Sequence, residues 1–578
     1  MRILIEEYQY DVSKVRDVLY GIDALENMEG RVSIHYVGYY YNMLLKDCVF
    51  ILPKVLLKDV DGQELVFGKY KPEDIANLDT FNSKERSFLY KFAVWIYRAI
   101  VVYKNDRRND TRIVCQSYIA QMCHRGRRQS NTYLDILLSL IQFNQDNQSF
   151  FFFIIKNMHS GLNKINWQRT IATKTAIIQN EQAVYLNPVN KRRQINFDEE
   201  LLIIFFSILN YIGDTYGFPK DICCQFQLIT GKRFDTYLNG FGKTRLRQIK
   251  YKYFSDKALQ LWHLCYNFFD EAQQVMVATE QRDYLLVKNF YVVFEAIIDE
   301  LIGDNPLPDG MEKQQEDGKI VDHLFTSQSL IAGKNEQTYY IGDSKYYKIG
   351  HELGSQSIYK QYTYARNVIQ WNIDIFSNGD KPSSGVRLRD DVTEGYNILP
   401  NFFISAKLNE MFSYDDDNIE KTDRKRNRHK RVQFDNRLFD RDTLLLSHYD
   451  VNFLYVLSLY ARDNQSQKAA WKMKVRQCFC KEIQKWLDED YDFYFIKAKT
   501  GVDDKEYFKT HFQQLLGKFY APFEQYKEIY SLALEKGEKY QQENKLLLNQ
   551  LKDYFFVEKF KLEKDQQDVL VRIGTQTH

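Results

Sequence analysis

Apolar and polar residues alternate over short runs near the start of the chain, as in Val32-Ser33-Ile34-His35-Tyr36-Val37 and Cys48-Val49-Phe50-Ile51-Leu52-Pro53. This is the period of a half-buried strand, so residues 1–80 are expected to form a β-rich domain. From about Ser83 to Leu264 the spacing lengthens: Phe88, Phe92, Trp95, Ile96 and Ile100 recur at three and four. That is helical periodicity, and it predicts a mainly helical domain over 81–282. A further helix is expected from about Asp283 to Leu301, ended by the Gly/Pro-rich segment 303–310 where a helix is disfavoured. Two strand-like runs, 319–325 and 338–347, and a helical pattern from Ser355 to Trp371 follow, so 283–450 reads helix, strand, strand, helix. After about Leu444 the pattern returns to helix, and 451–578 is expected to be helical, with a charged helix-prone stretch over 524–552 suited to a solvated partner helix. No internal repeat of fixed period is present. The fold class is thus α/β and α, in four parts.

Composition narrows the function classes. With 578 residues, 44% hydrophobic and 27% charged, the chain has ample material for cores and is neither disordered over most of its length nor collagen-like. Lys and Arg number 79 against 77 acidic residues, a net charge of +2, so any polyanion must be met by local patches. The most apolar stretches, 150–155 and 201–212, fall short of the roughly 20 residues that span a bilayer. The first residues lack the basic and apolar regions of a secretory signal, so no membrane partner and a cytoplasmic location are expected. Eight cysteines include Cys223-Cys224, Cys478-Phe479-Cys480, Cys115 and Cys123-His124, none with zinc-finger spacing, which favours reduced structural thiols.

The chemistry concentrates between residues 295 and 366. In Tyr340-Ile341-Gly342-Asp343-Ser344-Lys345-Tyr346 a period of two puts Asp343 and Lys345 on one face and turns Ser344 away. In Lys319-Ile320-Val321-Asp322-His323-Leu324-Phe325 a lone carboxylate interrupts an apolar run and needs a cation. If the two strands pair, Asp322 and Asp343 come together, and a hard divalent ion, Mg²⁺ or Mn²⁺, would offset their repulsion. Glu295 on the preceding helix is a third candidate ligand. Phosphodiester hydrolysis uses a metal ion and a nearby ammonium, the role expected of Lys345. Lys360, Gln361 and Tyr364 lie on the next helix, where they could position a phosphate or the attacking water. Each residue alone also has a plain reading: Asp343 and Lys345 as a surface ion pair, Glu295 and Gln361 as solvated helix residues. The order of the set is what favours a site.

At these residues the chain resembles the PD-(D/E)xK nuclease superfamily, with Asp322 in the place of the first acid, Asp343-Ser344-Lys345 in that of the (D/E)xK triplet, and Glu295 in that of the helix acid. Val321 stands where a proline is common. Segments 341–348 and 357–366, with 396–406 and 436–457, are similar to McrC and LlaJI-type restriction subunits, as are 37–42 and 48–57 more weakly. The resemblance implies a nuclease core with a mixed sheet flanked by helices, Asp322, Asp343 and Glu295 as metal ligands, and double-stranded DNA as substrate. It also implies control by a McrB-like AAA+ GTPase partner, with the N-terminal domain docking on that motor. The one phosphate-loop candidate, Gly240-Phe241-Gly242-Lys243-Thr244, has Tyr237 where the first glycine should stand.

The basic block with Arg424, Lys425, Arg426 and Arg428 is either a solvated loop or a phosphate clamp for DNA, and 125–128 and 191–193 are smaller basic runs. His323 and His351 are expected to pack or be solvated rather than bind metal. Two other readings stay open: a RecB-like repair nuclease acting on DNA ends, and a non-catalytic DNA-binding scaffold with a decayed core.

Overall fold

The computed structural model describes residues 2–575 apart from 21–29, 43, 46, 77–82, 108–109, 117–119, 122–129, 132, 149–166, 187–198, 217–221, 223–226, 278–283, 308–312, 315–317, 332–335, 349–354, 380–384, 410, 422–428, 433, 463 and 522–527. The basic block with Arg424, Lys425, Arg426 and Arg428 lies outside the described residues. So do the stretches 125–128, 150–155 and 191–193, and with them Cys123, His124, Cys223, Cys224 and His351.

The protein is a mixed α/β chain. Its first sheet joins strands β1 (Arg2–Ile5), β2 (Tyr36–Asn42), β3 (Asp47–Leu52), β4 (Ile113–Gln116) and β5 (Tyr284–Lys288) in the order β1-β3-β2-β5-β4. The β1 and β3 pair is parallel and the others are antiparallel. Helices α1 (Ser83–Asp106), α2 (Tyr133–Asp146), α3 (Glu199–Tyr216) and α4 (Asp256–Val277) form the helical middle and share one apolar core with this sheet. Two expectations are corrected. The sheet draws β4 and β5 from far along the chain, so a division at residue 80 cuts through it. The helix expected from Asp283 begins instead at Tyr291, because Tyr284–Lys288 is a strand and Asn289 turns the backbone at φ 58°.

Helix α5 (Tyr291–Ile302) leads to the central sheet of six strands. These are β6 (His323–Gln328), β7 (Gln337–Lys345), β8 (Pro400–Lys407), β9 (Ile419–Lys421), β10 (His429–Val432) and β11 (Leu444–Asn452). The order is β6-β7-β8-β11-β9, with β10 also on β11; β7, β8 and β11 run parallel, whereas β6, β9 and β10 are antiparallel to their neighbours. Because β7 is flanked by strands and covered on both faces, Thr338 to Ser344 are all buried. Tyr339 and Ile341 face helix α6 (Ser355–Ser377), and Tyr340 faces the core shared with α5. Gly342 is required there, since a Cβ would overlap the Phe402 ring.

Helices α7 (Phe453–Ala461) and α8 (Gln465–Asp490) back the same core. The expectation that 451–578 is helical is corrected: this part carries a four-stranded antiparallel sheet. Its strands β12 (Tyr491–Ala498), β13 (Phe519–Tyr520), β14 (Ile529–Glu535) and β15 (Phe555–Phe560) run in the order β13-β14-β12-β15. Of the charged stretch over 524–552, residues 529–535 form strand β14, and helix α9 (Glu538–Tyr554) starts after Gly537. The run Ile529–Leu534 is buried on both faces, and a short continuous apolar run carries no period to tell strand from helix. Among the described residues no helix is long and apolar enough to cross a membrane. Cys265, Cys478 and Cys480 are free thiols, and burial pushes all three above the ordinary thiol range.

Candidate functional site

Antiparallel pairing sets His323 opposite Gly342. One step further along the ladder brings Asp322, just before β6, across from Asp343. The Ser344 amide donates to Asp322 Oδ2 at 3.0 Å, fixing that carboxyl at the end of β7. The Asp322 and Asp343 carboxyls thus crowd one another at the paired strand ends. Burial, then the charges of Asp343 and Glu295, push Asp322 up to about 8; the Ser344 amide offsets only part of this.

Lys345 follows on the same face. Its ammonium lies against Asp343 Oδ2 and 5.3 Å from the centre of the Phe403 ring. Both side chains are nearly buried, at 11% and 8% exposure, so the pair is not a surface ion pair. Glu295 comes from α5, whose other residues are largely apolar because the helix is packed on several sides. Burial, then the charge of Asp343, push Glu295 up to about 7 against the pull of Arg112, Lys345 and Lys313. The three acids sense one another's charge, and Lys345 sits among them.

Helix α6 covers this face with a stripe spaced three and four apart: Ile358, Gln361, Tyr364, Ala365, Val368 and Ile369. Gln361 occupies a core position in that stripe. It is fully buried, and neither its amide nitrogen nor its amide oxygen meets a hydrogen-bond partner among the described residues. Each such group costs about 1–3 kcal/mol, so a polar ligand that reached it would recover what the fold leaves unmade. Lys360 is exposed on the same helix. Tyr364, at 4% exposure, packs in the apolar layer with Val368 and Ile341.

A second polar cluster occupies the opposite face of β7. His323 is fully buried; its Nε2 meets Ser344 Oγ at 2.5 Å and its Nδ1 faces Asp299 Oδ1 at 3.5 Å. Lys313 donates to the Asp322 carbonyl at 2.8 Å and pairs with Asp299 at 2.5 Å. Burial would raise Asp299, but His323 and Lys313 hold it below the usual carboxylate range. Sequence reasoning missed Asp299 and Lys313 because neither falls on the period of a strand; the only signal was a second acid one helical turn after Glu295.

Among the described residues, no group of three or more His, Cys, Asp and Glu side chains is gathered so as to hold a metal ion as it stands. At Asp343 the Lys345 ammonium meets one carboxylate oxygen. The donor chemistry nonetheless fits a hard divalent cation, being all carboxylate oxygen and crowded enough to push Asp322 and Glu295 up. The phosphate-loop candidate is helical around Gly242, where a Cβ would press on the Phe269 ring, and Lys243 pairs with Asp270. Comparison of the chain with protein families, curated proteins and solved structures returned no match.

Proposed function

We propose that the chain is a Mg²⁺-dependent DNA endonuclease subunit of the PD-(D/E)xK type, cytosolic and governed by a McrB-like AAA+ GTPase. One observation carries the reading: two carboxyls are brought together at neighbouring strand ends, with a third carboxyl and a buried ammonium beside them. A fold tolerates such crowding most readily where function uses it.

Asp322 and Asp343 would hold the ion, with Glu295 completing the set from α5, and the bound ion would neutralise charge on the phosphate and acidify a water. Lys345 is then free to donate to an anionic phosphate oxygen or to orient the nucleophile. Gln361 offers an amide NH2 that donates and a carbonyl oxygen that accepts, the combination needed to orient a water against a phosphate. Lys360 adds a solvated cation at the rim of the same helix, suited to a neighbouring phosphate.

The test is cleavage of duplex DNA by the full chain with and without an AAA+ partner, in Mg²⁺ or Mn²⁺. Asp343→Ala and Lys345→Ala are expected to abolish cutting while the protein stays folded, and the purified chain is expected to lack GTPase activity. Undiminished cutting by both variants discards the site. Robust cutting without a motor, with preference for DNA ends, moves the reading to a repair nuclease.

A further inference from the structure

Glu6 lies directly after strand β1 and is 1% exposed. Its carboxylate gathers donors from three distant segments. The Tyr346 hydroxyl donates to Oε2 at 2.7 Å, the Lys54 amide to the same oxygen at 3.3 Å, and the Phe290 amide to Oε1 at 3.3 Å. Two of these donors belong to the elements that carry the candidate site. Tyr346 is the residue after Lys345, and Phe290 is the N-cap of α5, five residues before Glu295.

The surroundings reinforce the tie. Lys54 pairs with Glu7 at 2.7 Å and lies 5.1 Å from the centre of the Tyr346 ring. Lys348 donates to the Glu7 carbonyl at 3.2 Å and to Glu64 at 2.6 Å. The Tyr346 ring also packs near Phe290, Phe294 and Phe453, with centroids 5.8, 6.0 and 6.3 Å away. That apolar packing alone would join the first sheet to the core. A buried carboxylate adds desolvation cost, and burial does raise the Glu6 pKa. What the carboxylate adds in return is direction: three donors define one placement of three segments.

We infer that Glu6 is a positioning residue that aligns Lys345 and the head of α5 against the N-terminal sheet, so that the geometry of the acid cluster depends on that sheet. The inference rests on the nuclease reading for its consequence in catalysis, but the mechanical tie can be tested without it.

The full chain is compared with Glu6→Ala, Glu6→Gln and Tyr346→Phe by amide hydrogen exchange, Mn²⁺ titration and thermal melting. Glu6→Ala is expected to raise exchange about tenfold across Ile341–Tyr346 and Tyr291–Ala296, with strands β12 and β14 unaffected. It is expected to weaken Mn²⁺ binding about fivefold or more. Glu6→Gln keeps one oxygen for Tyr346 and Lys54 and should return Mn²⁺ affinity to within about twofold of the parent. Tyr346→Phe should fall between the two.

Unchanged exchange at both segments in Glu6→Ala overturns the inference, as does Mn²⁺ affinity lost equally in the Ala and Gln variants. If Glu6→Ala melts globally at the assay temperature, Tyr346→Phe decides by the same exchange readout. Mn²⁺ binding by the parent that Asp343→Ala leaves intact sinks the metal reading instead, and exchange alone then judges the tie.

Discussion

The two faces of strand β7 carry polar clusters of opposite character. Behind the strand, Lys313, Asp299, His323 and Ser344 alternate donor and acceptor, and Asp299 is held in its charged form. In front, Asp322 and Asp343 confront one another, Glu295 reaches them from α5 closely enough to feel their charge, and Asp322 and Glu295 are pushed towards neutrality. At about 4 Å and an effective dielectric near 20, two like charges oppose each other by about 4 kcal/mol. The rear cluster is what a satisfied buried network looks like. The front cluster is left unresolved by the protein alone, and it shares its face with the unpartnered amide of Gln361. Matched polar groups hold a fold together, whereas crowded ones mark where a ligand is to come.

Substitutions on each face test that contrast. Asp343→Ala or Lys345→Ala should lower DNA cleavage about 10²–10³-fold or more; Asp343→Ala, which relieves the crowding of Asp322 and Glu295, should keep the melting temperature, whereas Lys345→Ala leaves Asp343 without its cation and should lower it. A loss of stability in Asp343→Ala would show the front cluster to be structural after all. Asp299→Ala should instead destabilise by about 2–4 kcal/mol in denaturant unfolding, because it strips a partner from Lys313 and from the fully buried His323. Cleavage per folded molecule should change far less.

A third experiment uses pH. Asp322 and Glu295 bind protons more tightly folded than unfolded, so their contribution is complete below the ordinary carboxylate range and is lost as pH rises towards about 8 and about 7. Thermal stability should therefore fall between pH 5 and pH 8, approximately the span of those shifts. Asp322→Asn should flatten the fall, and Mn²⁺ should reverse it in the parent while releasing protons, measurable by calorimetry in buffers of different ionisation enthalpy. A flat profile in the parent would remove the case for crowding. The smallest effect is expected at Ser344, where Ser344→Ala removes one hydrogen bond to His323 and should cost about 1 kcal/mol with cleavage near the parent level.

How far the sequence could be read follows from what its periods encode. Alternation placed Asp343 and Lys345 on one face of β7 and an interrupted apolar run exposed Asp322 as anomalous, because both are local patterns. Glu6, Arg112 and Lys313 carry no such mark; they come near the site only through the tertiary fold. The helical spacing that paired Lys360 with Tyr364 did not show that the edge of the buried stripe runs between them. In Tyr491–Ala498 the inward Tyr491, Phe493 and Phe495 do alternate, so β12 was legible from period two. Strand β14, covered on both sides, was not.

The first sheet is completed only by β5, at Tyr284–Lys288, and the Tyr346–Glu6 bond closes a loop of 340 residues. Contacts of such sequence separation form late, since the chain entropy of the whole intervening segment must be overcome first. A ribosome making this protein therefore holds an open, edge-exposed first sheet until about the midpoint of synthesis. Fragments ending near residue 80 would lack the partners that close the sheet, and are expected to appear as aggregates rather than as a soluble module.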